Sequence, residues 1–172
     1  MWEKIKAVAL DVDGVLTDGT FWWGPNDEEL KRFCFADVTG IPLAQKAGLV
    51  LALISGESSP AGMAIVERYA RKLKITDVYK GSRDKSAALR DFAGKHGLDL
   101  SEVCFIGDDI NDLPAMAIVG LSVAPPNAHS SVLGKAGMIT EHKGGHGALR
   151  EVLDLLLDGR SLGPNAEKKN KP

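Results

Sequence analysis

"IKAVALDVDGVLTDGT", residues 5–20, sets an apolar run of strand length directly against two aspartates, Asp11 and Asp13. A continuous apolar run ending in turn residues is the pattern of a strand buried on both faces, as in a parallel sheet. Buried charge is costly unless paired, so two carboxylates this close need a cation or a chemical task. Residues i and i+2 of a strand share a face, which would bring both carboxylates to one pocket.

The pattern repeats along the chain. "LVLALI" (49–54) and "VCFI" (103–106) are further two-sided apolar runs, and shorter strands are expected at 78–79, 121–123 and 138–139. Helix-length segments at 41–47, 61–73, 85–96, 113–118 and 148–157 alternate with them. Such alternation predicts βαβ units and a three-layer, Rossmann-like α/β fold with a parallel sheet, one domain over residues 1–158. Leu149, Val152, Leu153 and Leu156 share one helical face and are read as core. Residues 19–35 break the alternation: "TFWW" and "LKRFCF" flank "GPNDEE", which predicts a projecting β-hairpin rich in aromatic residues. Residues 159–172, rich in Lys, Gly and Pro, are expected to be a flexible polar tail.

Composition narrows the function classes. A chain of 172 residues with 44% hydrophobic and 26% charged residues fits one globular domain. A net charge of -2 gives no global field for nucleic acid or an anionic membrane. No apolar run approaches the ~20 residues of a membrane span, and the N-terminus lacks the small-residue cleavage site of a signal peptide. Cys34 and Cys104 lie far apart, as in a reduced cytoplasmic protein.

Ligands of open parallel sheets bind beyond the carboxyl ends of the strands. There the sequence places Asp11 and Asp13, then "SGESS" (55–59), "KGSRDKS" (80–86) and "GDDIND" (107–112). Asp108, Asp109 and Asp112 join the first two aspartates, and converging carboxylates favour a hard cation such as Mg²⁺. An EF-hand is excluded, because its glycine and glutamate belong at loop positions six and twelve, where this sequence has Leu16 and Trp22. Ser55 offers a hydroxyl, Gly56 permits close backbone approach to an anion, and Lys85 follows Asp84 at an expected helix start. Carboxylates, a divalent metal, a hydroxyl and a lysine together suit phosphoryl transfer. An aspartate is ionised at neutral pH and can attack phosphorus without a base, while a second one moves the protons. His142 and His146 are four residues apart, but "EHKGGHG" reads as a loop near the substrate mouth rather than a zinc-bearing helix.

"DVDGVLTDG", "ISGE", "DKSAAL" and "GDDINDLP" resemble, in order and spacing, the four motifs of the haloacid dehalogenase superfamily of phosphatases. "FADVTGIPLAQKAGL" and "GGHGALREVLDLLL" extend the likeness to the 3-deoxy-D-manno-octulosonate 8-phosphate (KDO-8-phosphate) phosphatase family, over residues 5–157. The resemblance implies Asp11 as nucleophile and Asp13 as acid/base, with Ser55 and Lys85 holding the phosphoryl group. Asp11, the Asp13 carbonyl and Asp108 would bind Mg²⁺, supported by Asp109 and Asp112. It also implies a homotetramer, for which the aromatic hairpin offers an interface. About forty residues separate Asp13 from Ser55 and about thirty separate Ser55 from Lys85, too few for a cap domain. The absence of a cap favours hydrolysis over transfer to a second substrate.

The substrate expectation is a small phosphorylated sugar acid. Glu57 stands where octulosonate enzymes usually carry Arg, which resembles relatives acting on nine-carbon ulosonate 9-phosphates of the KDN or N-acylneuraminate type. Arg68 and Lys72 on the next helix are expected to pair with Glu57, and His146 stands where the family usually has Arg. These four residues are the candidate specificity determinants. The remaining alternative, a non-catalytic binding protein on this fold, sits poorly with every catalytic position being filled.

Overall fold

The computed structural model describes residues 2–161; of the tail expected over 159–172, residues 159–161 are helical instead, and the rest lies outside the described residues. Six strands form one parallel sheet: β1 (Ala7–Leu10), β4 (Val50–Ile54), β5 (Asp77–Tyr79), β6 (Val103–Ile106), β7 (Leu121–Ala124) and β8 (Met138–Ile139). Their spatial order is β5-β4-β1-β6-β7-β8, so β1 lies at the centre between β4 and β6. All four β1 residues are buried, as an apolar run without alternation requires.

The two faces of the sheet are packed differently. Val8, Leu10, Leu51 and Leu53 project to the face covered by α1 (Phe35–Lys46), α2 (Pro60–Leu73) and α6 (Ala148–Ser161). Ala7, Ala9, Ala52 and Phe105 meet α3 (Lys85–Lys95), α4 (Leu113–Met116) and the short α5 (Ser130–Leu133) on the other face. The α6 stripe Leu149, Val152, Leu153 and Leu156 is fully buried, as its spacing implied. Each of these leucines and valines contributes about 1.5–3 kcal/mol by its burial.

Some boundaries differ from the sequence reading. α1 begins at Phe35, not near residue 41, because Gly40 and Pro42 conceal its first turns in the sequence. Gly40 stands where α6 comes closest, since a Cβ there would lie 2.8 Å from Arg150 Cδ. α6 runs past Leu157 to Ser161. α5 has too few residues to show a period and was not expected.

The hairpin is present but shorter, with β2 (Trp22–Trp23) paired antiparallel to β3 (Glu29–Leu30). Phe35 belongs to α1 instead, and Phe33 turns inward to stack on Tyr69 at 4.3 Å between ring centres. Phe21, Trp22, Trp23, Leu30 and Phe35 remain exposed, Trp23 by 75% and Phe35 by 73%.

Candidate active site

Asp11 directly follows β1, and its backbone N–H still donates to Ile106 O at 2.9 Å. The chain then turns, so Asp13 belongs to a loop and not, as expected, to the strand. Both aspartates nevertheless line one open cavity of about 320 Å³, together with Ser55, Gly56, Lys85 and Asp108. Asp109 and Asn111 stand at its edge. Only glycine fits at residue 14, which has φ +86° and where a Cβ would lie 1.9 Å from Asp108 Oδ2.

Lys85 is the cation at the centre. Asp84 caps α3 by accepting from Ala87 N at 3.0 Å, and this helix start projects Lys85 into the site. Its buried ammonium lies 2.9 Å from Asp11 Oδ1 and 2.6 Å from Asp112 Oδ1. Burial alone would lower the lysine, but the two carboxylates outweigh it and hold its pKa above the ordinary value. Asp112 accepts with its other oxygen from the backbone N–H groups of Asp108 (2.8 Å) and Asp109 (3.1 Å). It therefore orients both the lysine and the loop that carries Asp108. Asp109 caps the same turn through Ile110 N at 2.7 Å.

Negative charge exceeds what one lysine can balance. Oxygens of Asp11, Asp108 and Asp112 lie within 4.8 Å of one another. Burial, opposed mainly by Lys85, pushes Asp11 up to about 6. Burial and the charges of Asp11 and Asp112 push Asp108 up to about 8. Asp108 Oδ1 is buried without a hydrogen-bond partner. Both oxygens of Asp112 are already engaged, so Asp11 and Asp108 are the carboxylates free to take a cation. A hard divalent ion on these two removes both the repulsion and the orphaned oxygen, and the donor set fits Mg²⁺.

Three features of the site were not anticipated. Lys31, on the chain just after β3, reaches Asp13 Oδ2 at 2.9 Å. Thr17 Oγ1 donates to Asp13 Oδ1 at 3.4 Å and accepts from Gly14 N and Gly19 N, each at 3.2 Å. Asn127 joins two loops, donating from Nδ2 to Gly14 O at 2.9 Å and accepting at Oδ1 from Gly144 N at 2.7 Å. Gly144 packs so closely there that a Cβ would meet Gly14 O at 1.9 Å.

The four candidate specificity residues scatter. Glu57 lies at the catalytic cavity, but its Oε1 accepts from the backbone N–H groups of Ser58 (2.8 Å) and Ser59 (2.7 Å). Its Oε2 lies 3.6 Å from Lys31 Nζ. The ion-pair partner of Glu57 is thus Lys31, not Arg68 or Lys72. Those two line a separate groove with Phe33, Phe35 and Tyr69. His146 contacts Arg32 Nη2 at 2.9 Å and borders a third cavity beside Arg150 instead of lining the catalytic one.

Beside the catalytic cavity is a larger one, of about 950 Å³, between the hairpin and the start of α2. Asp13, Glu57 and Lys31 border it, with Phe21 and Trp23 forming an apolar wall. It has room for a sugar chain extending away from a phosphate near Asp11.

Comparison with known proteins identifies the family. Residues 60–152 match the family model described as haloacid dehalogenase-like hydrolase. The 3-deoxy-D-manno-octulosonate 8-phosphate phosphatase of Escherichia coli strain K12 is 41% identical over 155 residues, covering 90% of this chain and 80% of the relative. The corresponding Moraxella catarrhalis phosphatase, crystallised with magnesium, phosphate and KDO, superposes with a TM-score of 0.88 at 36% identity. That match covers 96% of this chain and 91% of the other. A cobalt-bound relative from Haemophilus influenzae gives a TM-score of 0.87 at 33% identity, covering 99% of this chain and 95% of the other. On the fold, the site and these matches, the chain belongs to the KDO-8-phosphate phosphatase family of haloacid dehalogenase-like hydrolases.

Proposed function

We propose that this protein is a Mg²⁺-dependent phosphatase that hydrolyses the terminal phosphate of KDO-8-phosphate. The observation that carries the reading is the buried Asp11–Lys85–Asp112 arrangement beside Asp108 and Asp13, open to one cavity at the carboxyl end of β1. Asp11 attacks phosphorus, forming an Asp11 oxygen–phosphorus bond as the bond to the sugar oxygen breaks. Asp13 gives its proton to the departing sugar oxygen. A water then attacks the aspartyl phosphate and passes its proton to Asp13, so phosphate leaves and both aspartates return to their starting states. Lys85, the Ser55 hydroxyl and the Gly56 backbone N–H are placed to hold the transferring group. Asp11, Asp108 and the Asp13 carbonyl would hold Mg²⁺, which when bound offsets charge on the phosphoryl oxygens.

The nine-carbon alternative rested on Glu57, and the comparisons do not favour it. Glu57 borders both the catalytic cavity and the larger one beside it, with Oε1 held by two backbone amides and Oε2 3.6 Å from Lys31. Two free cysteines, with Cys104 fully buried, fit a cytoplasmic enzyme. No helix among the described residues is long and apolar enough to cross a membrane.

The test is phosphate release from KDO-8-phosphate and from nine-carbon ulosonate 9-phosphates. With Mg²⁺, KDO-8-phosphate is expected to give the higher kcat/KM. Chelation should abolish turnover, and Ca²⁺ should inhibit because its larger, looser shell fits poorly. Full activity after exhaustive chelation would overturn the metal role of Asp108.

The reading includes a homotetramer assembled through the hairpin. Its support is the exposed hairpin rings Phe21, Trp22 and Trp23, with Phe21 and Trp23 5.0 Å apart, apolar surface of the kind that marks an interface. Light scattering at micromolar concentration should give four times the chain mass. Trp22→Ser combined with Trp23→Ser should dissociate it, and a monomeric wild type of full activity would refute assembly as a requirement.

A further inference from the structure

The base of the hairpin holds a charged side chain for which the mechanism above has no use. The Lys31 side chain is only 2% exposed, yet its ammonium faces three carboxylates: Asp13 at 2.9 Å, Glu29 at 3.2 Å and Glu57 at 3.6 Å. A lysine is rarely buried this far unless its charge is matched. Glu29 Oε1 is itself buried and has no hydrogen-bond partner, so its approach to Lys31 is an ion pair without a directed bond. The directed bond from Lys31 goes to Asp13 Oδ2, while Oδ1 has only a long 3.4 Å contact with Thr17 and is the oxygen left to carry a proton.

We propose that Lys31 is a positioning residue for phosphoryl transfer, holding the Asp13 carboxyl group so that it faces the oxygen that leaves the substrate. The proposal rests on the reading of Asp13 as the acid/base. A loop carboxyl group rotates freely about two side-chain bonds unless something fixes it, and proton transfer needs it within hydrogen-bond reach of one substrate atom. Thr17 comes from the same turn as Asp13, whereas Lys31 comes from the hairpin and ties Asp13 to a second, independent element. Glu29 and Glu57 balance the ammonium charge and fix its location, so that the lysine acts as a strut. With three carboxylates already around it, Lys31 is poorly placed to attract the carboxylate of a sugar acid, which argues against a role in binding that group.

The experiment compares wild type, Lys31→Met and Asp13→Asn on a series of substituted phenyl phosphates of similar size and increasing leaving-group basicity, with Mg²⁺ present. The readout is the slope of log kcat/KM against leaving-group pKa, which does not depend on the fraction of active enzyme. Wild type should show a shallow slope, because Asp13 protonates the leaving oxygen. Lys31→Met should show a steeper one, losing about 100-fold on the most basic leaving group and less than about tenfold on 4-nitrophenyl phosphate. If the single variant fails to fold, Lys31→Met combined with Glu29→Gln, which removes a carboxylate along with the ammonium, supplies the same slope. An unchanged slope in the folded variant, with Asp13→Asn steep, overturns the positioning role alone. An unchanged slope in Asp13→Asn as well overturns the reading of Asp13 as the acid.

Discussion

Asp11→Asn is expected to lose at least about 10⁴-fold in kcat while keeping the wild-type fold. The amide has nearly the shape of the carboxylate, but its oxygen is too weak a nucleophile to attack phosphorus. The fold should survive because Lys85 keeps its 2.6 Å contact with Asp112, so no buried cation is left unpaired. Coincident circular dichroism spectra and a melting temperature within a few degrees of wild type would establish that. Phosphate release near the wild-type rate, in enzyme freed of contaminating phosphatase, would remove the covalent step.

Lys85→Met should be costly in two ways. It strands Asp11 and Asp112 with no cation between them, and loss of one partner from a buried ion pair costs about 3–5 kcal/mol. Urea unfolding in the presence of a chelator isolates this term from any contribution of bound metal. Turnover should fall a further 10²–10³-fold or so, the usual consequence of removing one fixed group that stabilises transition-state charge. Combining it with Asp112→Asn should recover part of the stability and none of the turnover, since one stranded carboxylate is removed while Asp11 and the phosphoryl group still lack their ammonium. A stability loss below about 1 kcal/mol for the single variant would mean that the two carboxylates do not depend on Lys85.

Much of this site can be read from the chain because strands buried on both faces leave continuous apolar runs, and polar residues follow those runs at the functional edge. Asp11, Asp108 and Lys85 are legible for that reason: each stands at the end of a strand or the start of a helix. Asp13 reaches the same cavity through a turn, which strand alternation does not describe. Lys31 escapes notice because a lysine beside Arg32 in a hairpin arm looks like any solvated charge, and only the tertiary fold surrounds it with Asp13, Glu29 and Glu57. Arg68 and Lys72 lie on the helix that follows Glu57 but line another groove, while Glu57 turns to the backbone of Ser58 and Ser59. The start of α1 is hidden by Gly40 and Pro42, residues that usually break helices, and Gly40 here accommodates the close passage of α6.

Asn127 closes the Asp13 loop from 113 positions downstream of Gly14, and Gly144 lies farther on still. Asp11 and Asp13 are therefore synthesised well before the residues that shape their loop. β1 must also wait for β6, which begins at Val103, before its second edge is paired. Pairings this distant close late, after their loop entropy has been overcome. The loop that carries Asp13 thus reaches its final form only after Asn127 and Gly144 have been synthesised and have met it.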